Sequence, residues 1–331
     1  MSTVVNPNAP DTGPGEVGPA AMTGRRSARP AISDRARSER KLGWMLAGPA
    51  FILMLLVTLY PILQAIWDSL FSYRLTAPDD RSFVFLGNYA TILSDSLFWR
   101  DLGVTSLITV VTVVVELVLG FALALVMNSA IRSTRGLLRT AILVPYGFIT
   151  VVSAFAWFYA FNISTGFVNT WFDWVPGIDP DLNWFASTGP ALFVIMASEI
   201  WKTTPFISLL LLSGLAQVPS KYTEAAKVDG ASWWQQMSKV VLPNMKAAIM
   251  VAVVFRALDA FRIFDNVFIM TQGQYGTETL SLLAYRTSIG RLEIGLGSAI
   301  SVILFVCVLL IALVAIKVFK VDLTGSSGDG K

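Results

Sequence analysis

Glu116, Glu199, Lys202, Arg256, Asp259, Arg262 and Asp265 lie deep inside stretches that are otherwise apolar. A charge at membrane depth is costly and normally turns towards a bundle interior or a watery cavity, so these side chains are the first candidates for function. Arg256, Asp259, Arg262 and Asp265 recur every third residue with alternating sign. Neighbours at i, i+3 can pair along a helix, which allows a self-neutralised ladder that merely tolerates the bilayer. The same residues can instead line a translocation path. At 1.5 Å per residue from Ala247, Arg256 falls near mid-depth and Asp259 to Asn266 in the outer half. Phe255, Phe261, Phe264 and Phe268 are interleaved with them, and ring faces beside carboxylates and guanidinium groups suit a neutral polyhydroxylated ligand. The candidates for such a path are Asp259, Arg262, Asn266 and Gln272, with Trp157 and Tyr159 as stacking aromatics. Glu116 has no partner within its own stretch and is expected to bond across the bundle. Glu199 and Lys202, spaced i, i+3 just before Pro205, read as structural.

Other chemistry is excluded by what the chain lacks. It has no histidine and one cysteine, Cys307, in an apolar run. That removes histidine-based triads, histidine metal sites and intrachain disulfides. The only Gly-Lys pair is Gly330-Lys331, so no P-loop is present and ATP is not expected on this chain. A membrane-embedded enzyme is therefore disfavoured. An ion-coupled secondary transporter built on Glu116 and the charged ladder is the alternative to be weighed.

A second polar feature lies between two apolar runs, from Pro219 to Pro243. Pro219 and Ser220 form a helix start signal, Tyr222, Ala225 and Ala226 lie at i, i+3, i+4, and Gly230 can supply a left-handed stop. Ser232 with Gln235 fits a capping box for a second helix, on which Trp234, Met237 and Val241 recur up to Pro243.

The elements that must carry these residues follow from composition. The 331 residues are 54% hydrophobic and 14% charged, against roughly 25% charged in a soluble domain, which points to a polytopic membrane protein. Six apolar runs approach the roughly 20 residues needed to cross about 30 Å of hydrocarbon: 43–66, 104–127, 141–161, 190–212, 247–270 and 297–319. The expected fold class is all-α with six transmembrane helices. Residues 1–41, rich in Pro, Gly, Ser and Arg, read as a disordered tail. Residues 42–100 hold the first span and its loop, 101–319 the remaining five, and 320–331 a C-terminal tail. Of the 25 Lys and Arg residues, 17 fall in the two tails, at Lys317 by the end of the last span, in the 128–140 connection and in the Pro219 segment with its flanks. By the positive-inside rule these face the cytoplasm, which puts both termini there and leaves no basic excess that needs a nucleic-acid partner. The opposite loops hold Asp79, Asp80, Trp171, Trp174 and Trp184, read chiefly as interfacial anchors.

In this setting the Pro219 segment resembles a known motif. Glu224-Ala225-Ala226, then Asp229-Gly230-Ala231, then Leu242-Pro243 are similar to the EAA loop of permease subunits of bacterial ABC importers. The resemblance extends through Tyr60-Pro61, Gly87-Asn88-Tyr89, Trp201 to Phe206, Arg256 to Asp265 and Thr277 to Ser281. The chain is thereby identified as a member of the carbohydrate-uptake permeases, of the type serving maltose and glycerol-phosphate importers. Three positions depart from that pattern: Met237, Ala247 and the Gly273 to Gly276 turn. The resemblance implies the type I ABC importer permease fold in the cytoplasmic membrane and transport of a sugar, such as the disaccharide trehalose. It also implies a second related permease, an ATPase dimer that binds ATP and Mg, and an external solute-binding protein or lipoprotein. Glu224, Ala225, Ala226, Asp229 and Gly230 would form the helix that docks on the ATPase.

Overall fold

The computed structural model describes residues 34–129, 131 and 133–319. The N-terminal tail up to residue 33 and the C-terminal tail from residue 320 lie outside the described residues. The chain divides between Thr58 and Leu59 into two compact units. The first consists of the leading part of α1 (Asp34–Asp68). That helix begins before the expected boundary at residue 41, because Arg, Ala, Glu and Lys dominate residues 34–41 and are good helix formers.

The second unit opens with a hairpin that an all-helical reading does not include. Strand β1 (Phe71–Arg74) pairs antiparallel with β2 (Ala77–Phe83). Aromatic residues favour such a ribbon, and the Arg81 guanidinium lies 4.3 Å from the Phe71 ring centre while bonding Asp68 at 2.8 Å. Helix α2 (Gly87–Ser94) locks the hairpin in place. Asn88 Nδ2 donates to the carbonyls of Ser69 and Phe71, and the Tyr89 hydroxyl meets Ser69 Oγ at 2.7 Å.

Helix α3 (Ser96–Ser129) is about 51 Å long at 1.5 Å per residue, so it outreaches the hydrocarbon core. After it come α4 (Arg135–Leu143), a 3₁₀ turn at Pro145–Gly147 and α5 (Thr150–Phe161). The expected span 141–161 is thus broken. Pro145 lacks a backbone N–H, and Phe148 and Ile149 are extended before Thr150 restarts the helix. Then follow α6 (Val168–Trp171) and α7 (Thr188–Ala216), which carries Pro205 inside it. The 219–243 segment forms α8 (Ser220–Val228), α9 (Trp233–Gln236), a π-helical stretch Met237–Val241 and α10 (Leu242–Asn244). The remainder is α11 (Lys246–Ala260), α12 (Asp265–Met270), α13 (Leu280–Tyr285) and α14 (Ile294–Phe319).

Among the described residues, four helices are long and apolar enough to cross a membrane: 41–68 of α1, α3, α7, and 294–318 of α14. The other two of the six expected runs are the broken pairs α4–α5 and α11–α12. The bundle is held where small residues let helices close. Gly120 of α3 sits so near α7 that a Cβ there would come within 2.8 Å of Ile207, and a Cβ on Gly214 of α7 would meet Ala248 of α11 at 2.4 Å. Close backbone approach of this kind drives helix association in a bilayer, where apolar burial alone gives little gain over lipid.

Candidate functional site

The fifth apolar run is not a continuous helix, and its break defines the site. Helix α11 ends at Ala260, Phe264 leaves helical geometry at φ −138° and ψ −59°, and α12 restarts at Asp265. The freed backbone groups find local partners. Arg262 Nε donates to the Leu258 carbonyl at 3.1 Å, and Thr279 Oγ1 donates to the Ile263 carbonyl at 3.2 Å. Irregular backbone at membrane depth is tolerated where protein or a polar cavity satisfies it.

The break also interrupts the expected i, i+3 ladder. Only its first rung forms, Arg256 Nη1 to Asp259 Oδ2 at 2.8 Å. Arg256 is 2% exposed and sits at the centre of a buried cluster. Its Nε and Nη2 grip both oxygens of Glu116 on α3, and Nη2 also donates to Glu199 Oε1 on α7 at 2.8 Å. Thr203 Oγ1 adds a bond to Glu116 Oε1 at 2.7 Å. The expectation that Glu116 bonds across the bundle is met, and its partner is Arg256. A planar guanidinium bridges two carboxylates in this way with a fixed fork of five donors, a geometry that the three donors of an ammonium do not reproduce.

Above this cluster lies a polar cavity of about 270 Å³. Tyr146 and Thr150 line it from the α4–α5 side, Glu199, Lys202 and Thr203 from α7, and Asp259 with residues 262–266 from the break. Asp259, Arg262 and Asn266 of the candidate path are therefore brought together. Asn266 is 1% exposed; its Nδ2 donates to Glu199 Oε2 at 2.6 Å while its Oδ1 is buried without a partner. Lys202 Nζ stands 5.9 Å over the Tyr146 ring. The other candidates lie elsewhere. Trp157 stacks on Phe161 and lines a neighbouring apolar groove of about 580 Å³ with Phe148 and Trp201. Tyr159 is exposed and stacks on Phe155. Gln272 sits exposed in a left-handed turn at φ +52°, away from the cavity lining.

Glu199, Lys202 and Thr203, read in the sequence as structural or passed over, belong to the cavity wall. Their i, i+3, i+4 spacing is a polar stripe on an apolar helix and was the available signal. Tyr146 and Thr150 had none, because their approach depends on how the broken span folds back.

The second candidate feature is the 219–243 segment. Helix α8 buries none of its residues, and Val228 is 88% exposed. It ends in a Schellman motif: Ala231 N–H donates to the Ala226 carbonyl at 2.9 Å and Gly230 N–H to the Lys227 carbonyl at 3.1 Å, with Gly230 at φ +76°. The expected capping box is present, with Ser232 N–H on Gln235 Oε1 at 2.8 Å. Of the expected inward positions, Val241 is buried and Met237 packs against the core, while Trp234 is 75% exposed. The π stretch adds a residue to the turn, and Gln236 and Met245 are buried as well.

Comparison with known proteins gives the family. Residues 116–320 match the family described as binding-protein-dependent transport system inner membrane component. The chain is 47% identical over 294 residues to the trehalose transport system permease protein SugA of Mycobacterium tuberculosis, covering 89% of this chain and 94% of that protein. It is 37% identical over 283 residues to the trehalose/maltose transport system permease protein MalF of Thermococcus litoralis, covering 85% and 94%. The fold is similar to a chain of a bacterial ABC transporter that imports the acidic polysaccharide alginate, at a TM-score of 0.72 and 22% identity over 87% of this chain and 99% of that one. The chain belongs to the binding-protein-dependent transport system inner membrane component family, as a multi-pass permease subunit of an ABC importer.

Proposed function

We propose that this chain passes a neutral sugar, a disaccharide such as trehalose, through the cytoplasmic membrane, with both termini on the cytoplasmic side. The observation that carries the reading is the polar cavity at the break between α11 and α12. It sets Lys202 and Arg262 against Glu199, Asp259 and Asp265, so opposite signs nearly balance and the wall offers donors and acceptors in place of a net field. Such a wall suits hydroxyl groups and gives little reason to select an ion. The relatives named for trehalose transport supply the disaccharide.

A second related permease would close the cavity from the open side. An external solute-binding protein would deliver the sugar, and an ATPase dimer with ATP and Mg would drive alternation between outward-open and inward-open forms. The docking element is α8, with Glu224, Ala225, Ala226, Asp229 and Gly230: it is polar, exposed and closed by a left-handed glycine. Its two ends connect directly to α7 and, through α9 and α10, to α11. A displacement at α8 therefore reaches both helices that wall the cavity.

The test is to purify the membrane complex through a tag on this chain, identify what accompanies it and screen sugars for stimulated ATP hydrolysis. The Asp259→Ala variant is expected to assemble normally, because the Asp259 side chain is 65% exposed, yet to lose uptake. Wild-type uptake by that variant would take Asp259 out of the path.

A further inference from the structure

Glu199 is the one side chain bonded to both halves of the broken span among the described residues. Its Oε1 accepts from Arg256 Nη2, on α11 before the break, at 2.8 Å. Its Oε2 accepts from Asn266 Nδ2, on α12 after the break, at 2.6 Å. Between these anchors the backbone bonds are short-range, Arg262 N–H to the Asp259 carbonyl and Ile263 N–H to the Ala260 carbonyl, both at 3.1 Å, and a single bond from outside, Thr279 Oγ1 to the Ile263 carbonyl at 3.2 Å, touches the link without reaching α11 or α12. Two helices joined by so short and irregular a link need an outside constraint to keep one mutual angle.

We propose that Glu199 is a positioning residue, a carboxylate clasp on α7 that sets the angle between α11 and α12 and thereby places Asp259 and Arg262 in the cavity. Three observations support this. Glu199 and Asn266 are 7% and 1% exposed, so neither bond competes with bulk water. Arg256 retains a two-point hold on Glu116 without Glu199, so Glu199 is not needed to neutralise the guanidinium. The carboxylate is attached to α7, the long helix packed against α3 at Gly120, which gives the clasp a rigid base. As transport would require the cavity to change shape, a clasp spanning the break also fixes which part moves as one body: α7, α11 and α12 together. The inference rests on the cavity being the sugar path.

The clasp needs a hydrogen bond at each of two points, and a charge is not required. In the Glu199→Gln variant the amide oxygen can face Arg256, and the amide nitrogen can donate to Asn266 Oδ1 after a side-chain flip, which pairs that oxygen and leaves Nδ2 in its former place. Glu199→Ala removes both arms, and Asn266→Ala removes only the distal one. The assay is sugar uptake by the full transporter, combined with amide hydrogen exchange of residues 261–266 in the purified complex without sugar. Glu199→Gln is expected to stay within about twofold of wild type in exchange across the break. Asn266→Ala and Glu199→Ala are each expected to speed exchange across the break about tenfold or more. Each should raise half-saturating sugar about fivefold with little change in maximal rate. The double variant should be no worse than Glu199→Ala alone, since both remove one link.

Unchanged exchange in Asn266→Ala would overturn the clasp. So would exchange in Glu199→Gln as fast as in Glu199→Ala, which would make the charge the essential property. If Glu199→Ala fails to assemble, Asn266→Ala decides the matter, because it leaves Arg256 fully paired. Faster exchange with uptake unaltered would uphold the clasp and remove the cavity from the sugar path.

Discussion

Replacing Arg256 with methionine is expected to abolish accumulation of the assembled transporter. The substitution leaves Glu116 and Glu199, 0% and 7% exposed, facing each other without their shared cation. Breaking a buried pair by removing one partner costs about 3–5 kcal/mol, and here two carboxylates lose a partner at once. That is a large share of the roughly 5–15 kcal/mol by which a typical fold is stable. Arg256→Lys should be intermediate, since an ammonium cannot hold both Glu116 oxygens and Glu199 together. Adding Glu116→Gln to Arg256→Met should recover part of the loss by removing one buried charge. Yield and melting temperature of the detergent-solubilised complex read the effect. Normal assembly of Arg256→Met would show that the cluster is dispensable for folding.

The second large effect is expected at α8 and touches function alone. Ala225 is exposed, so Ala225→Trp should leave the fold intact. A close-fitting partner tolerates little extra volume at a small residue, since overpacking an interface costs as it does in a core. Uptake should fall to background, and the ATPase should no longer copurify. Gly230→Val should act through the other requirement, because a β-branched residue is strained at φ +76° and the Schellman bonds that end α8 would be lost. Retention of the ATPase and of uptake in Ala225→Trp would remove this face of α8 from the contact.

Both effects bear on how much could be read before the fold was seen. The EAA segment was legible down to its capping box and its glycine stop, because capping and left-handed turns depend on residues within a few positions of one another. Its inward face was legible at Met237 and Val241 but not at Trp234, which is exposed, and the π stretch at Met237–Val241 has no signature in local spacing. The charged run was recognised as the unusual feature of the fifth span. Of its two readings, the ladder along one helix holds for the Arg256–Asp259 rung alone, because the helix is interrupted between Phe261 and Phe264.

Sequence alone determined the membrane class, the positions of the apolar runs, the absence of histidine and P-loop chemistry, and the residues from which a site had to be drawn. These follow from composition, from hydrophobic length and from local spacing. Only the tertiary structure decided that Arg256 serves Glu116 and Glu199, that the fifth span breaks after Ala260, and that Lys202, Thr203 and Tyr146 share a cavity with Asp259 and Arg262. The pairs that made the difference are 140 and 57 residues apart in the chain. No local pattern encodes such partners: the cost of burying a charge states that a partner must exist, and only the packing of α3, α7 and α11 selects which one.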